Sequence, residues 1–380
     1  MTTAGSSARQ TGALAALLRG EEVPWRKLAN TADDLVLACE QEDLTALVYR
    51  TLDSSRTCHD WPSTARDAIA RTARHDAVRE ELRRREIATV LGTLARDRIY
   101  PILFKGAALA YSVYETPSAR PRSDTDLLVR REDVDAVRRV MSGLGYAATP
   151  YCDGERLFCQ FEMAKTDNFG VDHAFDIHWK ISTQALFADM LDYETVTRES
   201  VHLPAVAPEA RAAGLVHALL LACVHPAMHH RNEERLIWLY DVHLLASQLS
   251  SSELERFTAL ALDKRVAAVC RHQLDLARWR FQTVIPERVL HALSTPPWLE
   301  RSAEYLPRDR RWHHELLSSM RALPRWRDRA QLAREVLLPN SRYMLAAYGV
   351  GAGRRSVALL PALYVHRALY GTWKILRGWK

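Results

Sequence analysis

The sequence has no cysteine pair at C-x-x-C spacing: Cys39, Cys58, Cys152, Cys159, Cys223 and Cys270 are scattered along the 380 residues. That pattern excludes a zinc knuckle, gives no disulfide framework and points to a reducing, cytoplasmic setting. No stretch reaches the roughly 18 uninterrupted apolar residues that a membrane span requires. The N-terminal residues lack a basic region followed by a sustained apolar run, so no signal peptide is expected. Internal repeats and low-complexity tracts are also missing. The formal charge of +6 is matched by six bases and no acid between Gly353 and Lys380. The rest of the chain is therefore charge-balanced, which argues against an RNA or DNA groove in its body. A basic tail rich in Leu, Tyr and Trp could contact anionic lipid, but a closing helix docked on the body is the expected arrangement.

With 48% hydrophobic and 26% charged residues, the composition is that of an ordinary globular protein able to bury a sizeable core. Residues 1–98 carry apolar side chains at three- and four-residue spacing and read as an N-terminal helical region. Residues 99–182 alternate strand and helix, residues 183–335 return to helical spacing, and 336–380 form the basic tail. The expected fold class is α+β: a small α/β core with a mixed sheet, flanked by helical regions.

The most informative stretch is Ile102 to Val129. The apolar run Ile102-Leu103-Phe104 ends at Lys105-Gly106 and passes into Ala107–Val113, a strand, glycine turn and helix of the kind that binds phosphate. A second strand follows through Asp124 and Asp126. Side chains two apart on a strand share a face, so both carboxylates project to one side and Leu127 and Val129 to the other. Two carboxylates on one face beside a helix N-terminus describe a site for a divalent metal and a phosphate. Farther on, AFDIHWK puts Asp176, His178 and Lys180 on one strand face, with Phe175, Ile177 and Trp179 on the other.

Lys105-Gly106, then Arg120 and Arg122, then Asp124-x-Asp126-Leu127-Leu128-Val129, resembles the nucleotidyltransferase superfamily that includes DNA polymerase beta. More closely, it is similar to an uncharacterised bacterial nucleotidyltransferase family with a Lys-Gly turn where the wider superfamily has Gly-Ser or Gly-Gly. Leu219-Leu220-x-x-x-x-His225 and Leu236-x-x-Leu239-x-Asp241 extend the likeness. The resemblance implies transfer of a nucleoside monophosphate from a nucleoside triphosphate to a hydroxyl acceptor, a small molecule or a protein. It also implies two Mg2+ ions held by Asp124, Asp126 and Asp176, which stabilise charge on the entering and departing oxygens. Asp124 and Asp126 would touch both ions, and Asp176 would touch one and help deprotonate the acceptor. Lys105 and the amides after Gly106 would hold the leaving phosphates. The glycine turn lacks the usual serine or second glycine, and Lys105, Arg120 or Arg122 would supply charge instead.

His178, sharing the face of Asp176, is read as a ligand, a base or a filler, and Lys180 lies beside it. The motif HPAMHH offers His225, His229 and His230. Pro226 is expected to end or kink the helix there, which weakens a zinc reading and leaves His225 to pair with Asp241, a carboxylate on an apolar helix face that needs a partner. Whether that pair is structural or lines the acceptor pocket is open. Two other readings stand beside this one: a toxin-type nucleotidyltransferase, also an enzyme but acting on tRNA, and a non-catalytic nucleotide-binding protein, against which the three carboxylates argue.

Overall fold

Seven strands form one mixed sheet in the computed structural model of the chain, which describes residues 3–54, 61–149, 154, 156, 159–294, 300–351 and 357–377. Cys58, Cys152, the expected strand start at Leu157 and Phe158, and Arg354, Arg355 and Lys380 of the tail lie outside the described residues. The four described cysteines, Cys39, Cys159, Cys223 and Cys270, are buried. The strands are β1 (Ile102–Phe104), β2 (Asp124–Leu128), β3 (Ala147–Ala148), β4 (Gln160–Thr166), β5 (Asp172–His178), β6 (Val201–His202) and β7 (Arg211–Ala212), in the order β3-β4-β5-β2-β1-β7-β6. β2 runs antiparallel to β1 and parallel to β5, and β4 and β5 form an antiparallel hairpin. That hairpin turns at 167–171, where Asp167 N–H donates to the Val171 carbonyl and Gly170 takes a φ of 77°. β6 and β7, in a region whose periodicity reads as helical, extend the sheet beyond β1 because Arg211–Ala212 pairs in parallel with Ile102–Leu103.

Helices surround this sheet. Before it come α1 (Thr3–Leu18), α2 (Trp25–Leu28), α3 (Ala32–Gln41), α4 (Thr45–Ser54) and the long α5 (Ser63–Arg96). Within it lie α6 (Lys105–Ser112), α7 (Val134–Gly143), α8 (Ala185–Ala188) and α9 (Tyr193–Arg198). After it follow α10 (Leu215–His229), α11 (Leu236–Gln248), α12 (Ser251–Asp263), α13 (Ala267–Phe281), α14 (Glu287–Ala292), α15 (Trp312–Ala322), α16 (Trp326–Leu337), α17 (Ser341–Ala347) and α18 (Leu360–Arg377). Capping boxes of Thr31 with Asp34 at α3 and of Ser250 with Glu253 at α12 satisfy helix donors that water would otherwise have to meet. The architecture is α+β. Among the described residues no helix is long and apolar enough to cross a membrane.

The two faces of the sheet do different things. On one face Leu103, Leu127, Phe161, Phe175 and Ile177 pack with Ile87, Leu91 and Leu94 of α5 and with Val137 and Met141 of α7. The other face, bearing Phe104 and Leu128 with the acidic positions between them, turns toward α10 and α11. A single hydrophobic cluster joins that helical layer to the N-terminal helices, with Leu14 and Leu17 of α1 packed among Leu274, Ala277 and other residues of α10–α13.

Pro226 does not end α10, contrary to the sequence expectation; the helix continues to His229. The ring removes one hydrogen bond close to the helix end, and Val224, Ala227 and Met228, all buried, hold the last turn in place by packing. The entry to α10 is equally constrained. Gly214 precedes it, and a β-carbon there would collide with the carbonyl oxygen of Glu199. Gly214→Ala is therefore expected to destabilise the protein by about 1–3 kcal/mol. Gly92→Ala, inside the C-terminal part of α5 with open space around it, should instead stabilise by about 0.5–1 kcal/mol. Urea unfolding of both variants checks the pair, and equal midpoints would contradict the packing described.

Candidate active site

β2 and β5 pair in parallel with Asp126 opposite Asp176, and Asp124 lies two residues back on the same face. Their position follows from the core: Leu127 and Ile177 are fully buried on the far side, which fixes the register and so fixes where the carboxylates point. Above them opens a cleft of about 680 Å3 lined by Lys105, Gly106, Arg120, Arg122, Asp124, Asp126, Asp176, His225 and Asp241 among others. Of the expected site residues, His178 is buried directly beneath it. Lys180 leaves the cleft and pairs with Asp189 at 2.8 Å.

Asp126 is the hub. Its Oδ1 accepts from the Lys105 ammonium at 2.6 Å and from His178 Nε2 at 2.9 Å. Burial opposes ionisation of Asp126, but the Lys105 charge and the His178 hydrogen bond outweigh it and hold the carboxyl below the usual range. His178 is pushed down to about 4 by burial and by Lys105, so the ring is neutral and donates through Nε2–H. Asp176 goes the other way, pushed up to about 7 by burial and by the negative charges of Asp126 and Asp124. Asp124 is also raised, by burial and by Asp126.

These residues fit a divalent cation. Ligand atoms of Asp126, Asp176 and His178 all lie within 4.8 Å of one another, and Asp124 adds a carboxylate on the same face. Carboxylates that raise one another's proton affinity form a site with more negative charge than Lys105 alone neutralises, and hard oxygen donors suit magnesium. Gln160 Nε2 donates to Asp176 Oδ2 at 3.3 Å from the neighbouring strand and orients it.

Lys105 reaches Asp126 from a left-handed backbone, φ 53°, at the first residue of α6. Arg120 and Arg122 are held elsewhere. Arg120 makes a bidentate pair with Asp241, Nε to Oδ1 and Nη2 to Oδ2 both at 2.8 Å, and Tyr114 O–H donates to the same carboxylate at 2.7 Å. Arg122 grips Glu80 of α5 through both terminal nitrogens at 2.8 and 2.9 Å. The expected His225–Asp241 pair is thus corrected: Asp241 does have a partner, but it is Arg120, whose planar fork matches a carboxylate better than an imidazole does. His225 instead packs edge-on to Trp238, at 5.2 Å between ring centres, and near His229 and His230. Burial and the nearby Lys105 push the His225 and His229 rings well below their ordinary range, so the cleft has a wall of neutral rings.

Several residues escaped the sequence reading. Glu80, Tyr111 and Tyr114 carry no motif, and Tyr111 joins Arg122 on Glu80 through its hydroxyl. Arg79 and Arg83 of α5 also line the cleft. In the sequence they are hidden in RHDAVREELRRRE, which looks like any solvated helix face.

Compared with family models, residues 29–282 match the one described as an uncharacterised nucleotidyltransferase, well over half of the 380-residue chain. A comparison with curated proteins finds no match.

The Arg120–Asp241–Tyr114 cluster makes a sharp stability test. Asp241→Ala leaves Arg120 buried without a counter-charge and should cost about 3–5 kcal/mol, whereas Arg120→Met combined with Asp241→Leu should recover most of that loss. Thermal unfolding of the two variants beside the parent would decide it; an Asp241→Ala protein as stable as the parent would show that the pair is not carrying the loop.

Proposed function

The chain belongs to this nucleotidyltransferase family, and on that premise we propose that it moves a nucleoside monophosphate from a nucleoside triphosphate to an acceptor hydroxyl. The observation that carries the reading is the register of β2 on β5, which brings Asp124, Asp126 and Asp176 to one face at the floor of an open cleft. The wider pattern of Lys-Gly turn and Asp-x-Asp strand supports a place near the DNA polymerase beta type of nucleotidyltransferase.

In this reading Asp124, Asp126 and Asp176 hold two magnesium ions. When bound, the ions supply positive charge at the α-phosphate, the entering oxygen and the departing pyrophosphate. The chain's own groups do the rest. Lys105 keeps Asp126 ionised and correctly turned, and His178 secures the same oxygen from below. Asp176, at the cleft floor and oriented by Gln160, takes the proton of the acceptor hydroxyl. The neutral wall of His225, His229 and Trp238 receives the uncharged part of a ligand, either base or acceptor. A cleft of about 680 Å3 has the dimensions of a small-ligand site. With the body's charge balance, that favours a small molecule or a protein side chain as acceptor over a folded tRNA.

Incubation with magnesium, each labelled nucleoside triphosphate and a cell extract would report the nucleotide and the acceptor class together; no transfer of any label would sink the proposal. Asp124→Asn should abolish magnesium-dependent nucleotide binding in calorimetry while leaving the far-ultraviolet circular dichroism unchanged. Asp176→Ala should lower kcat for pyrophosphate release at least about 100-fold, some 2.7 kcal/mol of barrier, with triphosphate affinity little changed. Normal turnover in Asp176→Ala would place the third carboxylate elsewhere, with Asp172, on the same strand, the next to test.

A further inference from the structure

Six cationic side chains line the cleft: Arg79, Arg83, Lys105, Arg120, Arg122 and Arg235. Four of them are already matched to carboxylates, Lys105 to Asp126 at 2.6 Å, Arg120 to Asp241 at 2.8 Å, Arg122 to Glu80 at 2.8 Å and Arg235 to Asp43 at 2.7 Å. Arg79 and Arg83 are the exception. Among the described residues neither has a carboxylate within ion-pairing distance or a hydrogen-bond acceptor for its guanidinium. Of the two acids between them in sequence, Glu80 is held by Arg122 and Tyr111, and Glu81 by Arg84 and Arg85. Asp76, one turn earlier on α5, also lines the cleft and acts on both only at longer range.

The two arginines are four residues apart on α5, so they stand one above the other on one helix face. Both are half-buried at the cleft wall rather than waving in solvent. Burial and the guanidinium groups of Arg122 and Arg79 lower the proton affinity of Arg83, against the weaker pull of Glu80 and Asp76. Three guanidinium groups crowded together, two of them unpaired, raise the local positive potential at a place where a protein gains nothing in stability from it. Such a pair of planar forks matches phosphate oxygens.

We propose that Arg79 and Arg83 of α5 seat the polyphosphate tail of the nucleoside triphosphate. The inference rests on the nucleotide reading of the cleft, and it moves the phosphate-binding charge from Arg120 and Arg122, which are neutralised inside the protein, to a helix outside the sheet. The N-terminal region then contributes directly to the substrate site.

The test is calorimetry with the wild type, an Arg79→Ala/Arg83→Ala variant and an Arg79→Lys/Arg83→Lys variant. The ligands are the nucleoside triphosphate that binds, its monophosphate, and inorganic tripolyphosphate, each with magnesium. Loss of both forks should weaken the triphosphate and tripolyphosphate at least about 100-fold, roughly tenfold per charge-assisted contact. Monophosphate affinity should stay within about 3-fold. The lysine variant, which keeps charge without the fork, should fall between the two. Thermal unfolding of each variant separates lost binding from lost folding, since side chains at a cleft wall should leave the melting temperature near that of the parent. Unchanged triphosphate affinity in a folded alanine variant overturns the inference and leaves the nucleotidyl-transfer reading intact, as does a loss shared equally with the monophosphate. Wild-type protein that binds no nucleoside triphosphate at all would instead overturn that reading, and this ligand assignment with it.

Discussion

The parallel pairing of β2 with β5 is the constraint on which the site depends. Asp126 faces Asp176 because Leu127 and Ile177, the next residues on each strand, are buried among Leu103, Phe161 and Phe175 on the opposite face. A slip of one residue would put leucine and isoleucine into the cleft and carboxylates into the core, at a cost of several kcal/mol for each buried charge. Core packing therefore sets the acidic geometry, and no dedicated loop is needed to hold it. The β4–β5 hairpin extends the same logic, since Gln160 reaches Asp176 from the outer strand.

Electrostatics then divides the basic residues into two groups. The loop between α6 and β2 is pinned from both sides by buried pairs, Arg120 to Asp241 on α11 and Arg122 to Glu80 on α5. Such pairs add little net stability because both partners are desolvated, yet breaking one is costly, so they serve to fix position. Arg120 also stands behind the glycine turn, its guanidinium 3.5 Å from where a β-carbon on Gly106 would lie. Charge buried to position a loop is charge withdrawn from ligand binding. The unpaired arginines of α5 are the ones left facing the cleft.

Period-two alternation made much of this legible. DTDLLV and AFDIHWK each put acidic residues on one strand face and apolar ones on the other, and the α+β class followed from strand-helix alternation between helical flanks. What escaped was tertiary. Nothing local tells Arg120 that its partner is 121 residues away at Asp241, so an apolar helix carrying one aspartate could be read as needing a partner but not which one. His225, the partner expected from the sequence, is a neutral ring against Trp238. Pro226 stays inside α10 for a tertiary reason too, because packing of its neighbours overrides the local cost of a proline in the last turn. β6 and β7 were invisible as well, being two residues each and held by pairing with β1 rather than by any pattern of their own.

Lys105 shows local and tertiary demands in direct conflict. Its φ of 53° lies in the left-handed region, where a residue with a β-carbon is disfavoured by roughly 1–2 kcal/mol and glycine is not. Gly106 follows it directly, so exchanging the two residue types would relieve the backbone at no change in composition. What such an exchange would lose is the ammonium 2.6 Å from Asp126, the positive charge that keeps that carboxylate ionised among Asp124 and Asp176. Charge compensation at the hub of the acidic face thus outweighs the conformational cost. A strained lysine at the strand-to-helix turn is the backbone expression of the site's excess negative charge.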